Sequence, residues 1–366
     1  MEKYNEPDKK INYPAILLFC SIFGIYILLR IILWRKTVLF EDSDSVFYLN
    51  NIRTFLTFKI DEILSLNPDT NPFFPFWGAV FSLAGKNEIF GARATSLFFS
   101  CLLFIANIGV MKRVVRDNLP VYFGLLLLSF SPVLLPLSIS VLTEPSYTGM
   151  VYLGLWLFLW QCNHPSAKTG LLIGLVAGMV FLCRTEGLIY SVVFPFFQLL
   201  HLYLKRSSYS VKKYMQWSIA FTSCFLIVAV PQILIVSKKM GTYALNGRVV
   251  HQRILANQEG DSHTEKMFSL DYSNRQVNID YLRYNPQDYH KLKTKSDIKH
   301  IVEIFKRSLR KFDDFYSAKL GKIVGPLGIV LFSFGLLYLL SAEKIFELLL
   351  ILFFLSVNLI PSLITP

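Results

Sequence analysis

About nine long apolar runs constrain this chain more than any other feature, because each is long enough to cross a bilayer or nearly so. The first, Pro14 to Trp34, is about 20 residues long, which suits a helix crossing the ~30 Å hydrocarbon core. It lacks a small-residue cleavage site and carries Arg30, so it reads as a retained helix and not as a signal peptide. Further runs lie at 89–111, 119–137, 146–161, 170–183, 187–204, 215–236, 323–340 and 345–363. The fifth is short, and for the fourth and fifth a re-entrant path is the alternative to a full crossing. Only 17% of the 366 residues are charged, against about 25% in an ordinary soluble domain. With 53% hydrophobic residues, 32 Phe and 18 Tyr, this excludes a disordered chain, a coiled coil, a nucleic-acid-binding module and most soluble enzymes. The expected fold is an all-α polytopic membrane protein.

The positive charges set the orientation. The net charge is +12, but where Lys and Arg fall matters more than their sum, because they gather in cytoplasmic loops. With the N-terminus inside, the short inner loops hold Lys112, Arg113 and Arg116, then Lys168, then Lys205, Arg206, Lys212 and Lys213, then Lys344. The short outer turns hold only Arg184. The expectation is therefore a cytoplasmic N-terminus. Three regions follow: a transmembrane catalytic module over 1–236, an extracytoplasmic loop or small cap over 237–322, and C-terminal transmembrane helices over 323–366. Two long polar segments, Arg35 to Glu88 and Ser237 to Lys322, then face outward. The first contains Ser43 to Phe58, with apolar residues at helical spacing, and Asn71 to Leu83, rich in Phe and Trp. Both read as short helices lying in the interface plane.

Three acidic groups share one membrane depth under this topology. They are Glu41-Asp42-Ser43-Asp44 after the first run, Thr143-Glu144-Pro145 between the third and fourth, and Arg184-Thr185-Glu186-Gly187 between the fifth and sixth. Ionisable groups beside hydrocarbon are costly, so they are paired or serve a site. Alone, each has a bland reading: a solvated loop start, an acid favoured by a helix dipole, a local ion pair. Their coincidence at one face points to function. Asp42 and Asp44 also have the spacing of a carboxylate pair that could grip a divalent cation from an extended loop. On a helix starting near Asp44, that residue and Tyr48 share a face. The six histidines lack ligand spacing, and the five cysteines form no CxxC pair.

In order, the motifs are Asp44-Ser-Val-Phe-Tyr48, Asn71-Pro-Phe-Phe-Pro75, Gly91-Ala-Arg93, Thr143-Glu-Pro145 and Arg184-Thr-Glu-Gly187. This order resembles the GT-C membrane glycosyltransferases of the protein O-mannosyltransferase and aminoarabinose-transferase type, over about residues 14–200. Ser45 stands where those proteins commonly carry a second acid, and Thr185 where they carry a Pro. Many of them continue past the equivalent of Pro366, so a short or truncated C-terminal region is expected here.

The resemblance implies a sugar donor carried on a polyprenyl phosphate, and a protein, lipid or glycan acceptor, with reaction at the outer face. The lack of an Asn-x-Ser/Thr sequon fits a bacterial protein, so the expected location is a bacterial inner membrane. Asp44 takes the position of the first-loop catalytic acid, as general base, with Asp42 as the fallback and Glu144 beside it. A single displacement predicts inversion at the sugar carbon. The leaving lipid phosphate needs cations, for which Arg93, Arg184, Lys238 and Arg248 are the candidates. Tyr48 and Glu186 complete the expected substrate-binding set. No cofactor is required, and a divalent ion at Asp42 and Asp44 is optional. Competing readings are a lipid or solute transporter or flippase, and a non-catalytic subunit of a membrane glycosylation complex.

Overall fold

The computed structural model describes residues 13–36, 43–59, 63, 70–115, 117–131, 134–162, 164–204, 211–240, 243–245, 346 and 349–350. All regular structure among the described residues is helical. The helices are α1 (Tyr13–Lys36), α2 (Ser43–Leu56), α3 (Phe73–Gly85), α4 (Glu88–Val114), α5 (Asn118–Ser129), α6 (Leu134–Leu137), α7 (Glu144–Gln161), α8 (Ala167–Cys183), α9 (Tyr190–Leu204) and α10 (Val211–Met240). A 3₁₀ turn, Thr185–Ile189, joins α8 to α9.

Local chemistry accounts for the boundaries. Lys86 adopts the left-handed conformation after Gly85 and ends α3. Asn87 then caps α4, its side chain accepting from the Ile89 and Phe90 backbone N–H groups. Ser166 and Thr169 form a reciprocal capping box that starts α8.

Among the described residues, four helical stretches are long and apolar enough to cross a membrane: Ala15–Arg35, Glu88–Val114, Thr185–Leu204 and Val211–Lys239. They match the first, second, sixth and seventh apolar runs. The fourth and fifth runs are helical as α7 and α8. The third run is not one helix. It breaks after Ser129 and resumes as the four-residue α6; the sequence carries a Pro at 132, which has no N–H to donate. The last two runs lie outside the described residues, except for 346 and 349–350, which are helical. The two short helices expected in the first outer segment are present as α2 and α3. The seventh run extends beyond its expected end at 236, since α10 continues to Met240. The rest of the 237–322 segment lies outside the described residues, apart from 243–245.

The helices meet through small residues. A Cβ on Gly149 of α7 would lie 2.5 Å from the Phe99 carbonyl oxygen of α4. A Cβ on Gly91 of α4 would lie 2.2 Å from the Gly78 carbonyl oxygen of α3. Gly170 and Gly174 of α8 lie against the Trp217 and Phe221 carbonyls of α10. Such close approach is how helices gain packing energy where apolar side chains alone supply no driving force. Outward faces stay apolar, with Leu17, Val192 and Ile227 each about two-thirds exposed or more.

Candidate functional site

The site is built on the irregular stretch between α6 and α7. Its backbone carbonyls lack helical partners, and neighbouring helices supply donors. Arg93 Nε donates to Ile139 O at 3.1 Å, Ser96 Oγ to Ser140 O at 2.5 Å, and Ser45 Oγ to Val141 O at 3.1 Å. Three successive carbonyls are thus held by side chains of α4 and α2. This fixes where Thr143 and Glu144 begin α7.

Three segments distant in sequence meet there. Tyr48 of α2 is buried, edge-on to Phe74 at 5.3 Å, with its hydroxyl 3.4 Å from Thr143 Oγ1. Arg184, at the end of α8, donates through Nη1 to Glu144 Oε1 at 2.8 Å and through Nη2 to Glu186 Oε1 at 3.2 Å. Its guanidinium carbon lies 5.8 Å from the Tyr147 ring centre. Tyr147 in turn shares a hydrogen bond with Tyr190. Burial opposes the charge on Arg184, but Glu186 and Glu144 outweigh it and hold the guanidinium above its ordinary value. Two carboxylates face one cation, so the cluster carries a net negative charge.

This cluster is recessed. Gly149 lies against Phe99 and Gly109 against Trp156, so α4 and α7 run parallel. Glu144, five residues before Gly149, is level with Ala94, six residues or about 9 Å below the start of α4. The helices α2 and α3 pack against this upper part of α4. Asn71 ties the start of α3 to the end of α8, Nδ2 donating to Phe181 O at 3.0 Å.

The expected site residues separate into groups. Tyr48, Glu144, Arg184 and Glu186 are brought together. Asp44 is the second residue of α2, one helical turn before Tyr48; its side chain and all of Asp42 lie outside the described residues, as does Arg248. Arg93 is a strut: it is 5% exposed, donates through Nη2 to Trp34 O at 3.1 Å as well as to Ile139 O, and stacks on Trp34 at 4.6 Å. Lys238 is exposed on the last turn of α10, and among the described residues no hydrogen bond or ion pair joins it to the cluster. Nor do the described residues hold a group of three or more His, Cys, Asp or Glu that could bind a metal ion. Ser45, Ser96, Asn71 and Tyr147 emerge only from the structure, since they act on backbone irregularities or neighbours that the sequence does not reveal.

Gly187 sets the turn that carries Arg184 and Glu186. A Cβ there would lie 2.5 Å from Phe181 N and from the Val180 carbonyl carbon, both backbone atoms of α8. Gly187→Ala is expected to cost about 1–3 kcal/mol by overpacking. It should also displace Glu186, read as reduced thermal stability together with a changed environment of Tyr147 in ultraviolet difference spectra. Unchanged stability would show that the turn yields freely.

No protein-family model matches the chain, and none of the curated proteins matches it either.

Proposed function

We propose that the chain is an integral membrane glycosyltransferase of the GT-C type. It moves a sugar from a polyprenyl-phosphate donor to a protein, lipid or glycan acceptor at the extracytoplasmic face, in a bacterial inner membrane. The proposed topology has a cytoplasmic N-terminus and about nine spans. One observation supports the reading above the rest: the Tyr48, Thr143-Glu144 and Arg184-Glu186 motifs, separated by 95 and 40 residues along the chain, make direct contacts.

The roles follow from this arrangement. Asp44, one turn from Tyr48 at the start of α2, takes the proton from the acceptor as it attacks the sugar carbon, and Asp42 is the fallback. The bond to the lipid phosphate breaks as the new glycosidic bond forms, with inversion. Arg184 faces the negative charge that develops on the leaving phosphate. Glu144 and Glu186 hold its guanidinium in place, which limits the reorganisation needed at the moment of reaction. Arg93 acts by positioning the stretch before Thr143, through its two carbonyl contacts, and not as a phosphate ligand. No cofactor is needed.

The test is sugar transfer by the purified chain in bilayers, from radiolabelled polyprenyl-phosphate sugars to a mixed acceptor extract. Wild type should transfer label, and Asp44→Asn should lose transfer while donor binding and folding persist. Equal transfer by both chains would remove Asp44 from the base role. Absence of transfer from every donor would overturn the enzyme reading.

A transporter is the second reading, and a specific observation favours it. Arg30 is fully buried, its guanidinium 3.3 Å over the Tyr26 ring and its Nη1 donating to Tyr26 O at 3.0 Å and Ser129 O at 3.4 Å, and its Nε and Nη2 have no hydrogen-bond partner among the described residues. It lies where the third apolar run breaks. Buried charge beside a discontinuous helix is characteristic of transport sites. Movement of a lipid phosphate across the bilayer without covalent change would establish that reading instead.

A further inference from the structure

The acids of the stretch that forms α7 to α10 lie at one end only. From Glu144 to Met240 the sequence holds just two, Glu144 and Glu186, both in the Arg184 cluster. The opposite end is made by the last turns of α7 and α9 and the first turns of α8 and α10. There Lys168 is the second residue of α8, and Lys212 and Lys213 are the second and third of α10. All three are exposed, and among the described residues no ion pair joins them to an acid. A Cβ on Gly170 of α8 would lie 2.4 Å from the Trp217 carbonyl oxygen of α10. Counted back from that contact along both helices, Lys168, Lys212 and Lys213 fall in one layer about 5 Å deep.

Local physics opposes this placement. The start of a helix carries positive partial charge, so cations there are unfavourable. Neither α8 nor α10 has an acid in its first turn to offset them. Thr169 Oγ1 donates to Gln161 Oε1 at 3.3 Å, and Gln161 Nε2 to Gln198 Oε1 at 2.8 Å, which keeps this end of α7, α8 and α9 at one level. Trp160, next to last in α7, and Tyr203, next to last in α9, are both exposed here. Exposed Trp and Tyr at the ends of spanning helices sit at headgroup level, which puts the lysines among lipid headgroups. A zwitterionic headgroup carries its own cation beside the phosphate and has no net charge to give. An anionic one supplies net negative charge, which favours its binding about fivefold for each lysine near the surface.

We propose that this end of the bundle is a seat for an anionic phospholipid, its phosphate headgroup lying against Lys168, Lys212 and Lys213 where α8 and α10 begin. The lipid relieves the repulsion between the lysines and the two helix starts, and so holds α8 to α10. The inference rests on the chain spanning a bilayer and not on sugar transfer, because lipid selectivity is measured without any sugar. It holds for either orientation of the bundle.

The experiment uses the purified full chain. Native mass spectrometry in a neutral detergent counts bound lipids as phosphatidylglycerol or phosphatidylcholine is added. Unfolding temperature is read in nanodiscs of phosphatidylcholine with and without phosphatidylglycerol. Wild type is expected to take its first phosphatidylglycerol on the order of 10–100-fold more tightly than phosphatidylcholine, and to unfold at a higher temperature when phosphatidylglycerol is present. A chain carrying Lys168→Gln, Lys212→Gln and Lys213→Gln together should lose both effects. In phosphatidylcholine alone it should unfold no lower than wild type, because the helix starts are relieved of their cations, so the loss is not one of folding. Lys86→Gln, beside the start of α4 at the opposite end of the bundle, should keep the wild-type preference. Equal affinity for the two lipids, or a preference that survives the combined substitution, would overturn the seat and leave these lysines to orientation alone or to an acidic partner protein.

Discussion

An Arg184→Met chain is expected to be less stable than wild type by about 2–3 kcal/mol and to transfer no sugar. Removing the guanidinium strands Glu144 and Glu186 beside one another without a counter-charge. Breaking a fully buried pair in this way costs about 3–5 kcal/mol, whereas exposed pairs contribute about 0–1. The side chains here are 32% exposed for Arg184, 39% for Glu144 and 29% for Glu186, so the cost falls between those limits. A combined-substitution test isolates the cause. If repulsion between stranded acids dominates, adding Glu144→Gln and Glu186→Gln to Arg184→Met should recover part of the stability but none of the transfer. Recovery of neither would place the loss in packing against Tyr147.

The pH response of this network has a definite sign. Arg184 is held above its ordinary value. A raised value in the folded state gives stability that is fully present below the unfolded value and is lost only as pH rises through the folded one. The contribution of Arg184 is therefore kept up to roughly pH 10 and lost only well above it.

The sequence made the helices and the cluster legible for different reasons. Apolar length alone marks α1, α4, α9 and α10, since no soluble helix needs that much continuous apolar surface. The cluster was legible because charge beside apolar runs is costly and so stands out at Glu144, Arg184 and Glu186. Arg93 entered through the family resemblance, as a cation for the leaving phosphate, and the structure adds a positioning role. Its donors go to the Ile139 and Trp34 carbonyls, and a carbonyl freed by irregular backbone leaves no mark on composition. The break after Ser129 was hidden for a related reason. Leu134, Leu135 and Leu137 keep the run apolar after the helix has stopped, so hydropathy continues across a gap that only the proline signals. Arg30 read as an argument against a signal peptide. Its burial beside Ser129 follows from how α1 packs on α5, which no local pattern reveals.

The spacing Gly170, Gly174, Gly178 was open to reading and carries the second large effect. In α8 it places one small residue per turn on a single face, and that face receives α10. A Cβ on Gly174 would lie 2.3 Å from the Phe221 carbonyl oxygen, 3.0 Å from its carbon and 3.1 Å from its Cα. These are backbone atoms of a helix, so no side-chain rotation relieves the overlap, and the two helices must separate by about 1 Å with loss of their mutual packing. Gly174→Ala is expected to cost about 2–3 kcal/mol, at the upper end for overpacking, against its helix-propensity gain of up to about 1. Gly24→Ala has nothing within 4 Å of the new methyl, so only the propensity gain remains and the sign should reverse. Gly154→Ala meets the Phe194 ring at 3.2 Å and Val176 Cγ1 at 3.3 Å, both side chains able to give slightly, and should fall between. Thermal unfolding of the three variants in one lipid tests the ordering. A Gly174→Ala chain as stable as Gly24→Ala would mean that α8 and α10 do not approach through this face. Because α8 ends at the residue before Arg184, the same displacement should lower sugar transfer in Gly174→Ala more than in Gly154→Ala.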